Sequence, residues 1–239
     1  MIRLDKYLAD MGEGTRQEVK RYIRQGRVSV DGVPAGKPEL KIDETKQKVF
    51  FDQREISYRQ FEYYMLNKPA GVVSATEDRT DRTVIELIKG RKRKDLFPVG
   101  RLDKDTEGLL LITNDGELAH RLLSPRHHVD KCYFARVEGI VTGEDERQFL
   151  EGVDIGTPDV SEQTAPGRLK ILKTDMLQGT SEILLTIQEG KYHQVKRMFE
   201  AVGKKVSYLR RESMGSLMLD KNLKPGQYRR LTDEELKRL

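Results

Sequence analysis

The chain has 239 residues, which is enough for one substantial hydrophobic core and a small accompanying domain. Its single cysteine, Cys132, excludes an intramolecular disulfide and gives no indication of an oxidising compartment. The N-terminus lacks the apolar run of a signal peptide, and no apolar run approaches the ~20 residues of a membrane span. We therefore expect a soluble, cytoplasmic protein.

Charge is nearly balanced overall but clustered locally. Lys and Arg number 44 against 39 Asp and Glu, for a net charge of +5. Any one basic cluster fits an ordinary solvated loop, whereas several together favour a phosphate-rich partner. The clusters lie at residues 91–94, 126–128, 204–205, 210–211 and 229–230.

The first 58 residues carry the pattern of a small helical and β module. Leu4 and Leu8 lie one helical turn apart and predict a short helix over residues 3–11. Thr15 and Glu18 have the spacing of a capping box, so a second helix begins there. The pattern continues with Gly26 as the end of that helix, a strand at 28–30, a turn at Asp31 and Gly32 and a strand near 48–51.

The second predicted helix carries a stripe of positive charge. Arg16, Lys20, Arg24 and Arg27 fall close together on one side of it. A solvated helix explains lysine and arginine equally well, because both are good helix formers. Four cations side by side nevertheless repel one another unless an anion faces them, which favours a nucleic-acid contact.

This module resembles the S4 RNA-binding domain, an α-L-type fold. The resemblance rests on the segments at residues 3–8, 15–16 and 25–32, which recur in the order of that family. It implies binding of folded RNA through contacts to the RNA backbone. The residues of the charged stripe expected to make these contacts are Arg16, Lys20 and Arg24. It does not by itself imply an enzyme.

Residues 59–239 have the pattern of a second, larger domain. Short apolar runs predict strands separated by a few helices, so we expect a mixed, largely antiparallel α/β sheet and an α+β protein overall. No glycine-rich nucleotide-binding motif is present. The predicted strands lie at residues 63–67, 109–113, 133–137, 183–187 and 206–209.

A loop at residues 97–108 is the strongest candidate for chemistry. It joins two apolar runs, and Asp103 within it is flanked by Arg101 and Lys104, which favour an ionised carboxylate. From these residues alone, a surface loop with local charge pairing is as good an interpretation as a catalytic loop. With Asp105 and Glu107 nearby, the loop also admits a paired-carboxylate glycoside hydrolase. The four histidines have no partners at metal-ligand spacing, so we expect no metal site.

Four segments resemble the pseudouridine synthases. The central one is Gly-Arg-Leu-Asp at residues 100–103, and the others lie in order at 66–71, 131–133 and 189–198. An S4 domain before these motifs is similar to the RsuA-like branch of that superfamily. Residues 124–128, together with 192–198, most resemble the members that act on small-subunit ribosomal RNA.

The resemblance implies isomerisation of uridine to pseudouridine without a cofactor, at uridine 516 of 16S ribosomal RNA, by a monomer. It assigns the required carboxylate to Asp103, as nucleophile or as base, and base stacking to Tyr133. Two alternatives remain open. One is a large-subunit ribosomal or transfer RNA target; the other is a non-catalytic S4-type ribosome-assembly factor.

The resemblance also implies a basic residue that pairs with the catalytic aspartate. Helical periodicity indicates which of two candidates, Lys196 or Arg197, has this role here. Apolar residues from Val195 to Val202 repeat at helical spacing, and Gly203 ends the pattern. Lys196 lies at the border of that apolar face, while Arg197 points nearly opposite. We therefore predict that Lys196 pairs with Asp103 and that Arg197 faces RNA or solvent.

Four further residues complete the expected site. Lys68, with Pro69, is expected to support the active-site loop and to contact the RNA substrate, and Arg101 to hold either RNA phosphate or the loop itself. The basic segment containing Arg126 and His127 is expected to face RNA.

Overall fold

A computed structural model describes residues 1–239, which form two compact units. The first contains Met1–Glu62 and Lys89–Leu96, and the second contains Tyr63–Ile88 and Phe97–Leu239. Residues 89–96 lie within the range predicted for the second domain, 59–239, but they group with the first unit. None of the helices combines the length and apolar character required to cross a membrane.

The first unit begins with the two predicted helices. Thr15 caps the second one, and Thr15 and Glu18 form the predicted capping box. The elements are β1 (Ile2–Arg3), α1 (Leu4–Asp10), α2 (Arg16–Arg24), β2 (Val28–Val30), β3 (Val33–Pro34), β4 (Lys41–Ile42), β5 (Val49–Phe51) and β6 (Arg54–Ile56). The short strands build a four-stranded sheet of order β3-β2-β5-β6, while β1 pairs with β4.

A core of its own holds this unit together. Leu4, Leu8, Val19 and Ile23 from the two helices pack against the buried side of the sheet. The segment at 89–96 joins through Arg93, whose side chain is almost fully buried and lies 3.2 Å from Asp10. The backbone N–H groups of Lys92 and Arg93 also donate to the Glu62 carboxylate. A distant stretch of chain is thus joined to the unit by the Arg93–Asp10 ion pair and by the backbone bonds to Glu62.

The second unit is built on a nine-stranded sheet. The elements are β7 (Tyr63–Lys68), α3 (Val84–Leu87), β8 (Phe97–Pro98), β9 (Glu107–Thr113), α4 (Gly116–Leu123), β10 (Lys131–Glu138), α5 (Gly143–Glu151), β11 (Arg168–Asp175), β12 (Thr180–Ile187), α6 (Gln194–Ala201), β13 (Lys205–Met214), β14 (Leu217–Met218), β15 (Tyr228–Arg230) and α7 (Asp233–Arg238), with a 3-10 helix at Pro125–His127. The main order of the sheet is β11-β12-β10-β13-β9-β7-β15, with β14 beside β13 and β8 beside β9.

The pairing confirms a mixed, largely antiparallel sheet. All pairs are antiparallel except β9 with β13, where Glu107 and Gly108 lie opposite Arg210 and Arg211. The apolar run of β9 is buried on both faces, as its continuous hydrophobic sequence predicts. All five predicted strands of this domain are present, and each is extended by one or more residues.

The candidate loop enters the sheet at the parallel pair. Gly108 has a backbone φ of 101°, and a Cβ there would lie 2.4 Å from the Arg211 carbonyl oxygen. Gly108 is also opposite Lys68 on the other neighbouring strand. Only glycine allows β13 to approach this closely, so Gly108 fixes the end of the loop between β7 and β13.

Candidate active site

The loop between β8 and β9 is supported from beneath by Lys68. This side chain is fully buried, and its Nζ donates to the carbonyl oxygens of Pro69 at 3.0 Å, Lys104 at 3.2 Å and Thr106 at 2.8 Å. Lys68 therefore has the loop-supporting position expected of it. It was also proposed to contact RNA, and the structure does not favour that role because no part of the side chain is exposed.

Burial dominates the electrostatics of Lys68. It lowers the pKa of the ammonium to about 8, although Asp105, Asp103 and Glu107 act in the opposite direction. The charge is solvated by carbonyl dipoles of the loop instead of by water. The conformation of the loop and the protonation state of Lys68 are therefore linked.

A second support comes from the segment that follows β7. The Ser74 hydroxyl accepts from the Leu102 N–H at 3.0 Å and donates to the Leu102 carbonyl at 2.9 Å. The Gly71 N–H donates to the Lys104 carbonyl at 2.7 Å, and the Lys104 ammonium bonds to Asp81 at 2.7 Å. Residues on both sides of Asp103 are therefore held from the same neighbouring segment.

Lys196 connects helix α6 to this loop. Its Nζ lies 3.3 Å from Asp103 Oδ2, the contact predicted from helical periodicity. It also donates to both carboxylate oxygens of Asp105, at 2.7 and 2.8 Å, which was not predicted. One cation thus serves two carboxylates.

Charge pairing outweighs burial in this cluster. Burial acts to lower the pKa of Lys196, but the hydrogen bond to Asp105 and the charges of Asp103 and Asp105 raise it. Burial likewise acts to raise the pKa of Asp105, but Lys196 outweighs it and the pKa falls below its usual value. Both partners are therefore held in their charged forms at neutral pH.

His193 is a member of the cluster that sequence analysis missed. Its Nε2 lies 3.6 Å from Asp103 Oδ1, on the other carboxylate oxygen from Lys196. It caps the N-terminus of α6 with a left-handed backbone, at a φ of 48°. The available signal was its position three residues before Lys196 within the recognised motif.

Tyr133 and Asp103 line the same pocket. The tyrosine is 8% exposed and belongs to β10. Apolar side chains supply much of the lining, so the pocket can hold a flat, weakly polar ring beside a single carboxylate. The lining includes Leu102, Asp103, Tyr133, Ile187, Val195 and Leu209.

Arg197 does not lie on an open surface. Its guanidinium donates to the Glu162 carboxylate at 2.6 Å, to the Ile155 carbonyl and to the Tyr192 carbonyl at 3.0 Å. The expectation of an RNA-facing or solvent-facing side chain is therefore corrected. The loop at residues 152–164 covers this side of α6, which helical periodicity alone cannot show.

The remaining basic residues are distributed over both units. Arg101 is exposed and lines the pocket. Arg126 and His127 are exposed on the 3-10 helix Pro125–His127 and are not among the pocket-lining residues. In the first unit, Arg16 and Arg24 are exposed and Lys20 lies 4.0 Å from Asp5, whereas Arg27 pairs with Asp52.

Comparison with known proteins defines the class. A family model described as RNA pseudouridylate synthase matches residues 62–201, and one described as S4 domain matches residues 2–47. The first match contains Asp103, Tyr133 and Lys196. The chain therefore belongs to the RNA pseudouridylate synthase family, as an enzyme with an N-terminal S4 domain.

Individual relatives place it in the RsuA branch. The chain is 48% identical to "Uncharacterized RNA pseudouridine synthase YtzG" of Bacillus subtilis, covering 98% of this chain and 97% of the relative. It is 41% identical to "Ribosomal small subunit pseudouridine synthase A" of Vibrio cholerae, covering 98% of each chain. A crystal structure of a pseudouridylate synthase matches 100% of this chain and 99% of its own, with a TM-score of 0.68 and 35% identity.

Proposed function

We propose that this enzyme isomerises one uridine of 16S ribosomal RNA, uridine 516, to pseudouridine, acting as a cytoplasmic monomer. The pocket supports the reaction through one observation above the others. The Asp103 carboxylate lines the same pocket as Tyr133 and lies 3.3 Å from the Lys196 ammonium. The ribosomal target is supported by the similarity to the Vibrio cholerae small-subunit enzyme over 98% of both chains.

The chemistry requires a carboxylate beside a surface that can receive the target base. The N1–C1′ bond of the uridine breaks, the uracil turns, and C5 bonds to C1′ while the C5 proton leaves and N1 gains a proton. Asp103 serves either as the nucleophile at C1′ or as the base that removes the C2′ proton. No atom is gained or lost, so the RNA keeps its mass.

The target base must leave its RNA stack to reach Asp103. An extruded base is stabilised when aromatic and apolar side chains replace the lost stacking. Tyr133 and the apolar lining offer that surface within the pocket. Arg101 at the same pocket is suited to hold RNA phosphate, since a guanidinium forms paired hydrogen bonds with phosphate oxygens.

A two-carboxylate hydrolase is less well supported by the geometry. Asp105 forms an ion pair with Lys196, and Glu107 accepts a hydrogen bond from the Tyr208 hydroxyl at 2.7 Å. Neither is left as a second acid across a substrate from Asp103. A hydrolase would also release free base and lower the mass of the RNA.

The decisive variant is Asp103→Asn, which keeps the side-chain shape and removes the negative charge. We expect single-turnover pseudouridine formation on 16S RNA to fall below detection while RNA binding persists, because the substitution leaves the basic residues proposed to contact phosphate, Arg101 among them, unchanged. Glu107→Gln is the matched control and should retain most activity, since the amide oxygen still accepts from Tyr208. Normal pseudouridine formation by Asp103→Asn would contradict the proposed chemistry.

The target is tested by mapping pseudouridine in all stable RNA from cells with and without this gene. We expect one site in 16S ribosomal RNA, uridine 516, to lose its modification. Loss of a site in large-subunit or transfer RNA instead would retain the reaction and overturn the target. Purified enzyme and that RNA alone should restore the site.

A further inference from the structure

The most exposed aromatic side chain of the protein lies next to the candidate active site. Tyr192 is 70% exposed, and its ring stacks on that of His193 with centroids 3.8 Å apart and planes 20° from parallel. His193 in turn places Nε2 3.6 Å from Asp103 Oδ1. One ring of the stack, His193, thus lies beside the Asp103 carboxylate, and the other, Tyr192, is exposed to solvent.

The backbone beneath this pair is held in place. His193 has the left-handed φ of 48°, which a residue with a side chain adopts only at a conformational cost. Arg197 bonds to the Tyr192 carbonyl at 3.0 Å, and the Gln194 side chain accepts from the Lys191 N–H at 2.9 Å. Gln194 is itself bonded to Glu189 at 2.6 Å. These bonds hold the backbone that carries both rings before any ligand arrives.

An exposed ring on a fixed turn is poorly explained by packing alone. Tyr192 contributes little buried area, whereas burial is what makes an aromatic side chain stabilising. The pocket lining includes His193 but not Tyr192, so the tyrosine lies outside the space available to the target base. A second flat ligand at the rim would cover it.

We propose that the Tyr192–His193 stack is a binding site for the unpaired nucleobase next to the target uridine. The inference rests on the proposed function, which requires the uridine to leave its stack. Extrusion leaves the neighbouring base with one face uncovered, and aromatic side chains accept such faces with little sequence preference. The ligand class is an unpaired nucleobase of any identity, presented in the same strand as the target.

The chain contains no tryptophan, which makes the platform directly observable. Tyr192→Trp keeps an aromatic surface and introduces a unique fluorophore. We expect its emission to be quenched by an RNA oligonucleotide that spans the mapped uridine. The control is Leu177→Trp, at a residue 100% exposed in the β11–β12 turn, which should respond little to the same RNA.

A double-mutant cycle separates direct stacking from an effect through His193. Tyr192→Leu should weaken RNA binding by about 5- to 150-fold, the range for loss of one stacked base. Tyr192→Phe should restore binding, and neither change should lower the melting temperature, because the ring is exposed. Replacing the stacked neighbour of the uridine by an abasic nucleotide should abolish the difference between wild type and Tyr192→Leu.

Two results would overturn the platform. One is wild-type RNA affinity in Tyr192→Leu, and the other is a full Tyr192→Leu effect with abasic nucleotides at either flank, which would assign Tyr192 to positioning His193. Wild-type enzyme that binds the RNA but leaves it unmodified would instead contradict the proposed function. The binding readouts therefore distinguish failure of one proposal from failure of the other.

Discussion

Lys196 shows how much of the candidate site depends on one side chain. It is the ammonium within 3.3 Å of Asp103, and it is also bound by Asp105. Removing it leaves two neighbouring carboxylates with reduced compensation, an arrangement that disfavours the ionised form of either one. The position of the proposed reacting carboxylate is then also less restricted.

We therefore expect Lys196→Met to reduce single-turnover pseudouridine formation on the order of 10²-fold, the cost of a misplaced reacting group, with little change in RNA affinity. Lys196→Arg should recover much of the rate because it keeps the charge. Asp105→Asn should retain most activity, since its amide oxygen still accepts from Lys196 and the Asp103 pair remains. Equal rates for Lys196→Met and wild type would remove this ion pair from the mechanism.

Some contacts of these residues are predictable from the sequence and others are not, for a physical reason. Helical periodicity places Lys196 at the edge of a buried face, and that is a local property. The sharing of Lys196 with Asp105 joins residues 91 positions apart, and Arg197 is covered by a distant loop. Such contacts depend on tertiary packing, so no local pattern announces them.

At the scale of elements, the loop that carries Asp103 is positioned by β7 beneath it. Lys68 ends that strand with its ammonium among three loop carbonyls, and burial lowers its pKa to about 8. The unfolded chain retains the ordinary value of 10.5. Below pH 8 the lysine is charged in both states, and folding carries the full cost of burying the charge.

This difference predicts a specific pH dependence of stability. Between pH 8 and 10.5 the unfolded chain binds more protons at this site, so the contribution of Lys68 to the free energy of unfolding rises with pH. We expect wild type to gain on the order of 3 kcal/mol relative to Lys68→Met across that window. Urea unfolding of both proteins at several pH values measures it. Lys131, whose pKa burial also lowers, is common to both and cancels in the comparison.

A pH-independent difference between the two proteins would show that Lys68 is not desolvated. Lys68→Met should also slow pseudouridine formation without weakening RNA binding, because the loop carbonyls lose their donor and the side chain touches no RNA. A proportionate loss of RNA affinity would return Lys68 to the RNA-contacting role first expected of it.

The elements themselves were largely predictable. Apolar periodicity and the capping box gave both N-terminal helices, and continuous apolar runs gave the central strands of the larger sheet. The parallel pairing of β9 with β13 was not predictable, since it depends on Gly108 admitting the backbone of Arg211. Strand order is a long-range property that short runs do not encode.

At the scale of the whole molecule, the division of labour between the units follows their composition. The first unit carries exposed Arg16 and Arg24 with Lys20 on one helix, and the second carries the carboxylate and the pocket. The first unit also includes residues 89–96, tied in by the buried Arg93–Asp10 pair. A deletion of residues 1–58 would remove Asp10 and leave Arg93 without that partner, so charge substitutions are the cleaner probe.

We expect replacement of Arg16, Lys20 and Arg24 together by glutamine to weaken RNA binding and reduce its salt dependence. Each lost phosphate contact lowers the slope of log K against log salt by about 0.7 for a single strand and about 0.9 for a duplex, so three contacts correspond to about 2 to 3. Glutamine preserves helix propensity, which keeps α2 folded. The matched control replaces exposed Lys37, Lys41 and Lys46 of the same unit by glutamine, with the same change in net charge.

The comparison separates a local contact from a general electrostatic effect. If α2 faces RNA, the first variant loses slope and the control does not, and the rate at saturating enzyme stays near wild type because the pocket is unchanged. Equal losses of salt dependence in both variants would show that the first unit acts on RNA binding only through its overall charge. An unchanged slope in the α2 variant would show that this helix does not face RNA, and the stripe would then be an ordinary solvated surface.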